Sequence, residues 1–270
     1  MRVAAIQMNS ATSVSDNLAQ AEQLLAQAAD QGVNFAVLPE NFSFLGAQDS
    51  DRVAVAEAPG DGPSQAFLAE QSRRFGMWIV GGTIPIRSED PGRVYSRSLL
   101  YGPDGAVAAE YDKLHLFDVD VPDRAAESYR ESDKTVRGER PVIANTDVGR
   151  IGLTVCYDLR FPALFHWLST NGMDILVVPA AFTVPTGRVH WQALLRTRAF
   201  ESLVYVVAAG QWGEHAGGRM TWGHSAIVSP WGDLLGMLES GTGIVTADID
   251  LARQAELRSQ FPVLAHRREF

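Results

Sequence analysis

Short apolar runs recur along this chain, broken by polar turns and by stretches with helical spacing. Val3–Gln7 reads as a first strand. Ser13–Asn17 then offers several N-capping residues, and Leu18, Ala21, Leu25 and Ala28 recur on one helical face that ends at Gly32. Phe35–Leu38 is a short apolar strand that delivers Glu40. Pro63 opens a second helix running to Arg74, with Gly76 as its stop, and Met77–Ile84 reads as another strand. Arg97–Tyr101 and Ala106–Tyr111 flank a Gly-Pro-Asp-Gly turn, a hairpin signal that delivers Lys113. Asp118–Arg140 is polar and charge-rich without a period, and is expected to be a long loop of the kind that often carries function. Val142–Thr146 and Arg150–Val155 form a second hairpin-like pair. Helices over Ala163–Thr170 and Val189–Ser202 precede the strands Ile175–Val178 and Val204–Ala208. His224–Val228, Leu234–Leu238 and Gly243–Asp248 complete the strands, with Pro230–Asp233 as a turn. Helices and strands alternate, hairpins are mixed in, and no repeat or linker interrupts them. The pattern predicts one α/β domain over residues 1–270. About a dozen strands exceed what one twisted sheet usually carries, so two packed mixed sheets are expected.

Composition narrows the partners. Lys and Arg number 23 against 32 Asp and Glu, a net charge of −9 without a basic cluster, which disfavours nucleic acid. No apolar run approaches the roughly 18 residues that span a bilayer, so no membrane association is expected. The start of the chain reads as a strand rather than a signal peptide, and a cytoplasmic protein is expected. The six histidines are scattered without metal-ligand spacing, and His115, between apolar residues, reads as a structural group. The single cysteine excludes an internal disulfide and a cysteine-cluster metal site. No metal site is expected from the cysteine and histidine pattern.

That cysteine carries the chemistry. Cys156 ends the strand-like run that begins at Ile151, and a helix follows from Pro162, which makes a strand–turn–helix elbow with a thiol at its tip. Glu40 and Lys113 end apolar strands in the same way. A lone cysteine is often a small buried hydrophobe, a glutamate after a strand is often a surface residue, and a lysine after a hairpin is often a loop residue. Read together, the three form a candidate catalytic constellation. Lys113 can lower the thiol's pKa by charge, and Glu40 can take its proton. One carboxylate can then give that proton to a leaving amine and later activate water. The backbone N–H of Tyr157, with Lys113, can stabilise the oxyanion.

Three strings carry a family resemblance: Val37–Phe42 (VLPENF), Tyr111–Asp118 (YDKLHLFD) and Gly152–Pro162 (GLTVCYDLRFP). They resemble the signatures of the nitrilase superfamily of carbon–nitrogen hydrolases, and matches run from Ala5–Met8 to Pro262–Arg268. The resemblance implies a four-layer α-β-β-α sandwich that pairs into a homodimer. It implies Glu40 as general base, Lys113 as oxyanion donor, Cys156 as nucleophile, a thioester intermediate and no cofactor. It also implies a second glutamate in the loop after the lysine. Glu131, in the string YRES, is preferred to Glu127.

Within the superfamily, Cys156–Pro162 and His190–Ala199 resemble the Nit branch of amidases. This implies a small α-keto or carboxylate substrate, with deaminated glutathione the preferred candidate and ammonia the expected leaving group. Ala208–His215 and Gly218–Ser225 point the same way. The alternatives are 2-oxoglutaramate, an N-carbamoyl amino acid, or a non-catalytic scaffold of the same fold. Asp158 and Arg160 are expected to brace the elbow as an ion pair. Tyr157, Arg160, Phe182 and Thr183 are the candidate substrate and oxyanion residues, and Thr183–Gly187 with Gln211–Trp212 the candidate acyl pocket. An anionic substrate needs a cationic clamp, for which Arg160, Arg188, Arg196 and Arg219 are available.

Overall fold

A computed structural model describes residues 1–120 and 128–268. Eight strands form the first sheet. Gly243–Asp248, Arg2–Gln7, Phe35–Val37, Trp78–Val80, Val94–Tyr101 and Ile84–Arg87 follow in spatial order, and Val107–Asp112 and Thr135–Val136 also pair with Val94–Tyr101. The second sheet runs Val142–Thr146, Gly149–Leu153, Ile175–Ala180, Tyr205–Gly210, Ser225–Val228 and Leu234–Leu238. Each has a parallel centre and antiparallel flanks.

The two sheets pack face to face, and the side-chain alternation of the strands shows how. Val3, Ala5, Phe35 and Val37 point into the core shared with the second sheet, while Ala4, Ile6, Ala36 and Leu38 point the other way. That outer face is covered by the helices Val14–Asp30 and Pro63–Phe75 through Ala21, Leu25, Ala28 and Leu68. Ile175–Ala180 is buried along its whole length, as expected of a parallel strand covered on both faces. The helices Pro162–Thr170 and Val184–Ser202 pack on each other and join the same core through Phe165, Leu168, Trp191 and Leu195, the second lying on Tyr205–Gly210. The result is the expected four-layer α-β-β-α sandwich. No helix among the described residues is long and apolar enough to cross a membrane.

Several elements differ from the sequence reading. Met77–Ile84 breaks after Val80 at Gly81–Gly82, and pairing resumes at Ile84. Gly82 has φ +47°, and a Cβ there would lie 2.0 Å from the Pro39 carbonyl oxygen. The glycine therefore lets this strand end press against the segment that presents Glu40. Asp118–Arg140 is not structureless: Asp118–Asp120 pairs with Ser128–Arg130, a single 3₁₀ turn spans Glu131–Asp133, and Thr135–Val136 joins the first sheet. Glu127 lies outside the described residues. The helix expected from Val189 begins at Val184, because Pro185 fits the first turn and Gly187 N–H already bonds to the Thr183 carbonyl. The helix Leu251–Gln260, capped by Asp250, lacked a clear sequence signal.

Candidate active site

Glu40, Lys113 and Cys156 all emerge just beyond the C-terminal ends of strands, namely Phe35–Val37, Val107–Asp112 and Gly149–Leu153. The face-to-face packing brings these ends together, although the residues lie far apart in sequence. Glu131 joins them from its 3₁₀ turn. All four are buried. Lys113 Nζ donates to Glu40 Oε1 at 2.8 Å and to Glu131 Oε2 at 2.8 Å. The Phe117 N–H also donates to Glu131 Oε2, at 2.8 Å. Arg52 Nη1 stands 3.6 Å from the other Glu131 oxygen. An ammonium has three donors, so one Lys113 N–H remains for a substrate.

Burial works against the charge on Lys113, but Glu131 and Glu40 outweigh it and hold its pKa above the ordinary value. Burial likewise opposes the Glu131 carboxylate, yet Lys113 and Arg52 keep its pKa low. Cys156 goes the other way. Burial and the Glu40 charge push its pKa well up, and Lys113 offsets this only in part. The expectation that Lys113 would produce a low-pKa thiol is therefore corrected. Two carboxylates already claim the lysine charge, so the resting group is a thiol. It is hydrogen-bonded to Glu40 and to the Ala181 backbone.

The elbow is strained where the thiol sits, with Cys156 at φ +46°. What holds it is Asp158, a fully buried carboxylate. It accepts the Val155 N–H at 2.8 Å and the Tyr111 hydroxyl at 2.6 Å through Oδ2, and the His115 N–H at 3.0 Å through Oδ1. The His115 ring also meets Oδ1 at 2.7 Å. Tyr111 and His115 flank Lys113, so one carboxylate ties the lysine loop to the cysteine elbow. From the other side Arg198 donates twice to the Leu159 carbonyl, at 3.1 and 2.9 Å.

The four polar groups line a cleft of about 490 Å³. Tyr157, Arg160, Phe182 and Thr183 also line it, as expected, together with Thr186 and Arg219. Among the described residues no group of three His, Cys, Asp or Glu is placed to hold a metal.

The sequence profile described as carbon-nitrogen hydrolase matches residues 2–259. The chain belongs to the carbon-nitrogen hydrolase family. It is 43% identical over 98% of its length, and 92% of the relative's, to the deaminated glutathione amidase of Yersinia enterocolitica. It is 37% identical to the human omega-amidase NIT2, over 99% of this chain and 95% of that one. Among solved structures it resembles a glutamate-to-glutamine variant of the Nesterenkonia sp. AN1 amidase with acrylamide added at its active-site cysteine. There the TM-score is 0.80 and the identity 27%, over 97% of this chain and 99% of the other. The chain is thus a hydrolase of C–N bonds, and an amidase.

The hydrolase departs from the sequence reading at particular residues. Asp158 and Arg160 do not pair. Asp158 is spent on the clasp, while Arg160 meets His190 Nδ1 at 3.1 Å and lies 5.1 Å over the Phe182 ring. Arg188 is exposed outside the cleft, and Arg196 donates to the Gly232 carbonyl. Gln211 is no pocket residue: it is fully buried and donates to the Glu40 carbonyl at 3.0 Å and to Ser10 Oγ at 2.7 Å. Trp212 faces Trp222 in a separate short hairpin. His115 is structural, stacked on Phe161. Arg52 and Asp49, on and beside the short helix Asp51–Ala54, were missed, since nothing in their local pattern separates them from surface charges. Tyr129, which also lines the cleft, opens the quoted YRES string.

A chemical prediction follows from the raised thiol. Iodoacetamide should alkylate Cys156 slowly at neutral pH, with a rate that climbs as pH rises above the ordinary thiol range of about 8.5. Glu40→Gln removes a negative neighbour and should shift that profile to lower pH; an unchanged profile would contradict the proposed coupling.

Proposed function

We propose that the hydrolase cleaves the γ-amide of deaminated glutathione through a thioester on Cys156. The observation that carries the mechanism is the Lys113 ammonium bridging Glu40 and Glu131 beside a thiol that stays protonated until needed. As the sulfur attacks the amide carbonyl carbon, Glu40 takes the thiol proton. The oxyanion is met by the free third N–H of Lys113 and by the Tyr157 N–H, one of the opening donors of a helical turn without an intrahelical acceptor. Protonated Glu40 gives its proton to the departing nitrogen, the C–N bond breaks, and the acyl group remains on sulfur. Water then attacks the thioester, Glu40 takes a water proton, and the acid leaves as the thiol is restored. Glu131 acts as a positioning residue that keeps Lys113 charged and aimed, and Arg52 steadies Glu131.

The substrate reading rests on the 43% identity to a deaminated glutathione amidase and on Arg160. Its guanidinium lines the cleft without a carboxylate partner among the described residues and suits the carboxylate of the acyl part. The leaving group needs one correction. From the secondary amide of deaminated glutathione the departing group is a peptide amine, and ammonia leaves only from a primary amide. The similarity to omega-amidase NIT2 favours 2-oxoglutaramate as a second substrate of that primary type. Turnover should be followed as 2-oxo acid release from both compounds. Cys156→Ala should lower it by about 10⁴-fold or more, as for other nucleophile deletions; full turnover by that variant would overturn the mechanism.

The same reading takes the chain as one hydrolase domain working as a cytoplasmic homodimer. A reducing compartment suits a catalytic thiol. Exposed Trp167, Val189 and Phe200 on the two helices outside the second sheet supply an apolar face for a second copy. Light scattering at twice the chain mass supports this, and a monomer at micromolar concentration contradicts it.

A further inference from the structure

The cations of the cleft fall into two kinds. Lys113 and Arg52 are committed: the lysine to Glu40 and Glu131, the arginine to Asp49 at 3.4 Å, Thr135 Oγ1 at 3.1 Å and Glu131. Arg160 and Arg219 line the same cleft, and neither meets a carboxylate among the described residues. Each is held instead by aromatic faces. Arg160 lies over Phe182, and Arg219 lies 4.8 Å over the Tyr129 ring. Stacking fixes the plane of a guanidinium while leaving its edge donors open.

The two stand at different depths. Arg160 lines the inner cleft alone. Arg219 lines both the inner cleft and an adjoining outer hollow bounded by Gly46, Gln48, Ser128, Pro185 and Met220. It sits beside the tip of the Trp212–Glu214 and Met220–Trp222 hairpin, where its own carbonyl accepts the His215 N–H at 2.8 Å. Its Nε is buried and has no hydrogen-bond partner among the described residues. A buried donor of a cationic group without an acceptor is unfavourable unless a ligand supplies one. The carboxylate that shares this mouth, Asp49, is taken by Arg52 and does not neutralise Arg219.

Hydrolysis divides the substrate at the sulfur. The acyl part stays in the inner cleft, and the amine must leave through the mouth. We propose that Arg219 determines specificity by binding a carboxylate on the leaving group, so that the enzyme prefers amides whose departing amine is itself an anionic amino acid or peptide. This rests on the amidase reading above and extends it from the acyl half of the substrate to the departing half.

The test uses two substrates that differ only at that carboxylate: deaminated glutathione and its C-terminal carboxamide. Wild-type enzyme should favour the acid in kcat/KM by on the order of 10- to 100-fold, the range for a charge-assisted hydrogen bond. Arg219→Met should bring the two within about threefold, and Arg219→Lys should restore part of the preference, since it keeps the charge without the fork. Equal wild-type turnover of acid and carboxamide overturns the proposal, and so does a preference that survives in Arg219→Met. The wild-type comparison stands even where a variant folds poorly. If wild-type enzyme turns over neither compound, nor 2-oxoglutaramate, it is the substrate reading that fails, and this proposal with it.

Discussion

The structure turns on one buried ammonium. Lys113 is nearly inaccessible to solvent, a position that would normally drive its proton off, and it remains charged because two carboxylates reach it at 2.8 Å. The converse also holds. Glu40 and Glu131 can be buried together only because a cation lies between them, with Arg52 adding a second positive charge near Glu131. Removing one partner of such a buried set leaves an uncompensated charge and typically costs about 3–5 kcal/mol. The same balance sets the state of the thiol: with Lys113 shared between two carboxylates, too little positive field remains to ionise Cys156 at rest. A protonated thiol beside Glu40 is the starting condition for the general-base attack proposed above, in contrast to pairs that hold a standing thiolate.

The fold exists around that set in a mechanical sense. Three groups come from three strand ends and the fourth from a 3₁₀ turn, so errors in the packing of the two sheets would pull them apart. Asp158 prevents this at the closest point. It bonds simultaneously to the two residues flanking Lys113 and to the residue before Cys156. Gly82 allows close approach behind Glu40, and Gln211 holds the Glu40 carbonyl from the second sheet. The strained φ at Cys156 is thus surrounded by bonds that leave it no room to relax.

Much of this was readable from residues in order along the chain. Strand ends carrying a carboxylate, an amine and a thiol are local patterns, and the three signature strings pointed to the fold and to the three residues that the structure brings together. Glu131 followed from its string. What was not readable depended on contacts between distant segments. Asp158 and Arg160 look like a natural pair two residues apart, but the three-dimensional neighbours of Asp158 are Tyr111 and His115, which claim it first. Arg52 resembles a surface arginine until the sheets bring Glu131 to it. The start of the Val184–Ser202 helix was hidden because Pro185 and Gly187 read as loop residues, whereas one fits a first helical turn and the other packs against Trp222. The sequence offered four arginines for a clamp, and only their place in the folded chain separates Arg160 and Arg219, which line the cleft, from exposed Arg188 and from Arg196, which is bonded to the Gly232 carbonyl.

The central claim is that the acyl group passes through a thioester on Cys156. Hydroxylamine partitioning tests it most directly, with glutaramate as substrate, the analogue of 2-oxoglutaramate whose lack of a 2-oxo group rules out oxime formation, and with the free acid and its hydroxamate quantified together. A thioester is captured by hydroxylamine in competition with water, so hydroxamate should rise with hydroxylamine concentration at the expense of free acid. Free acid as the sole product at every hydroxylamine concentration, with substrate still consumed at the full rate, would contradict the account.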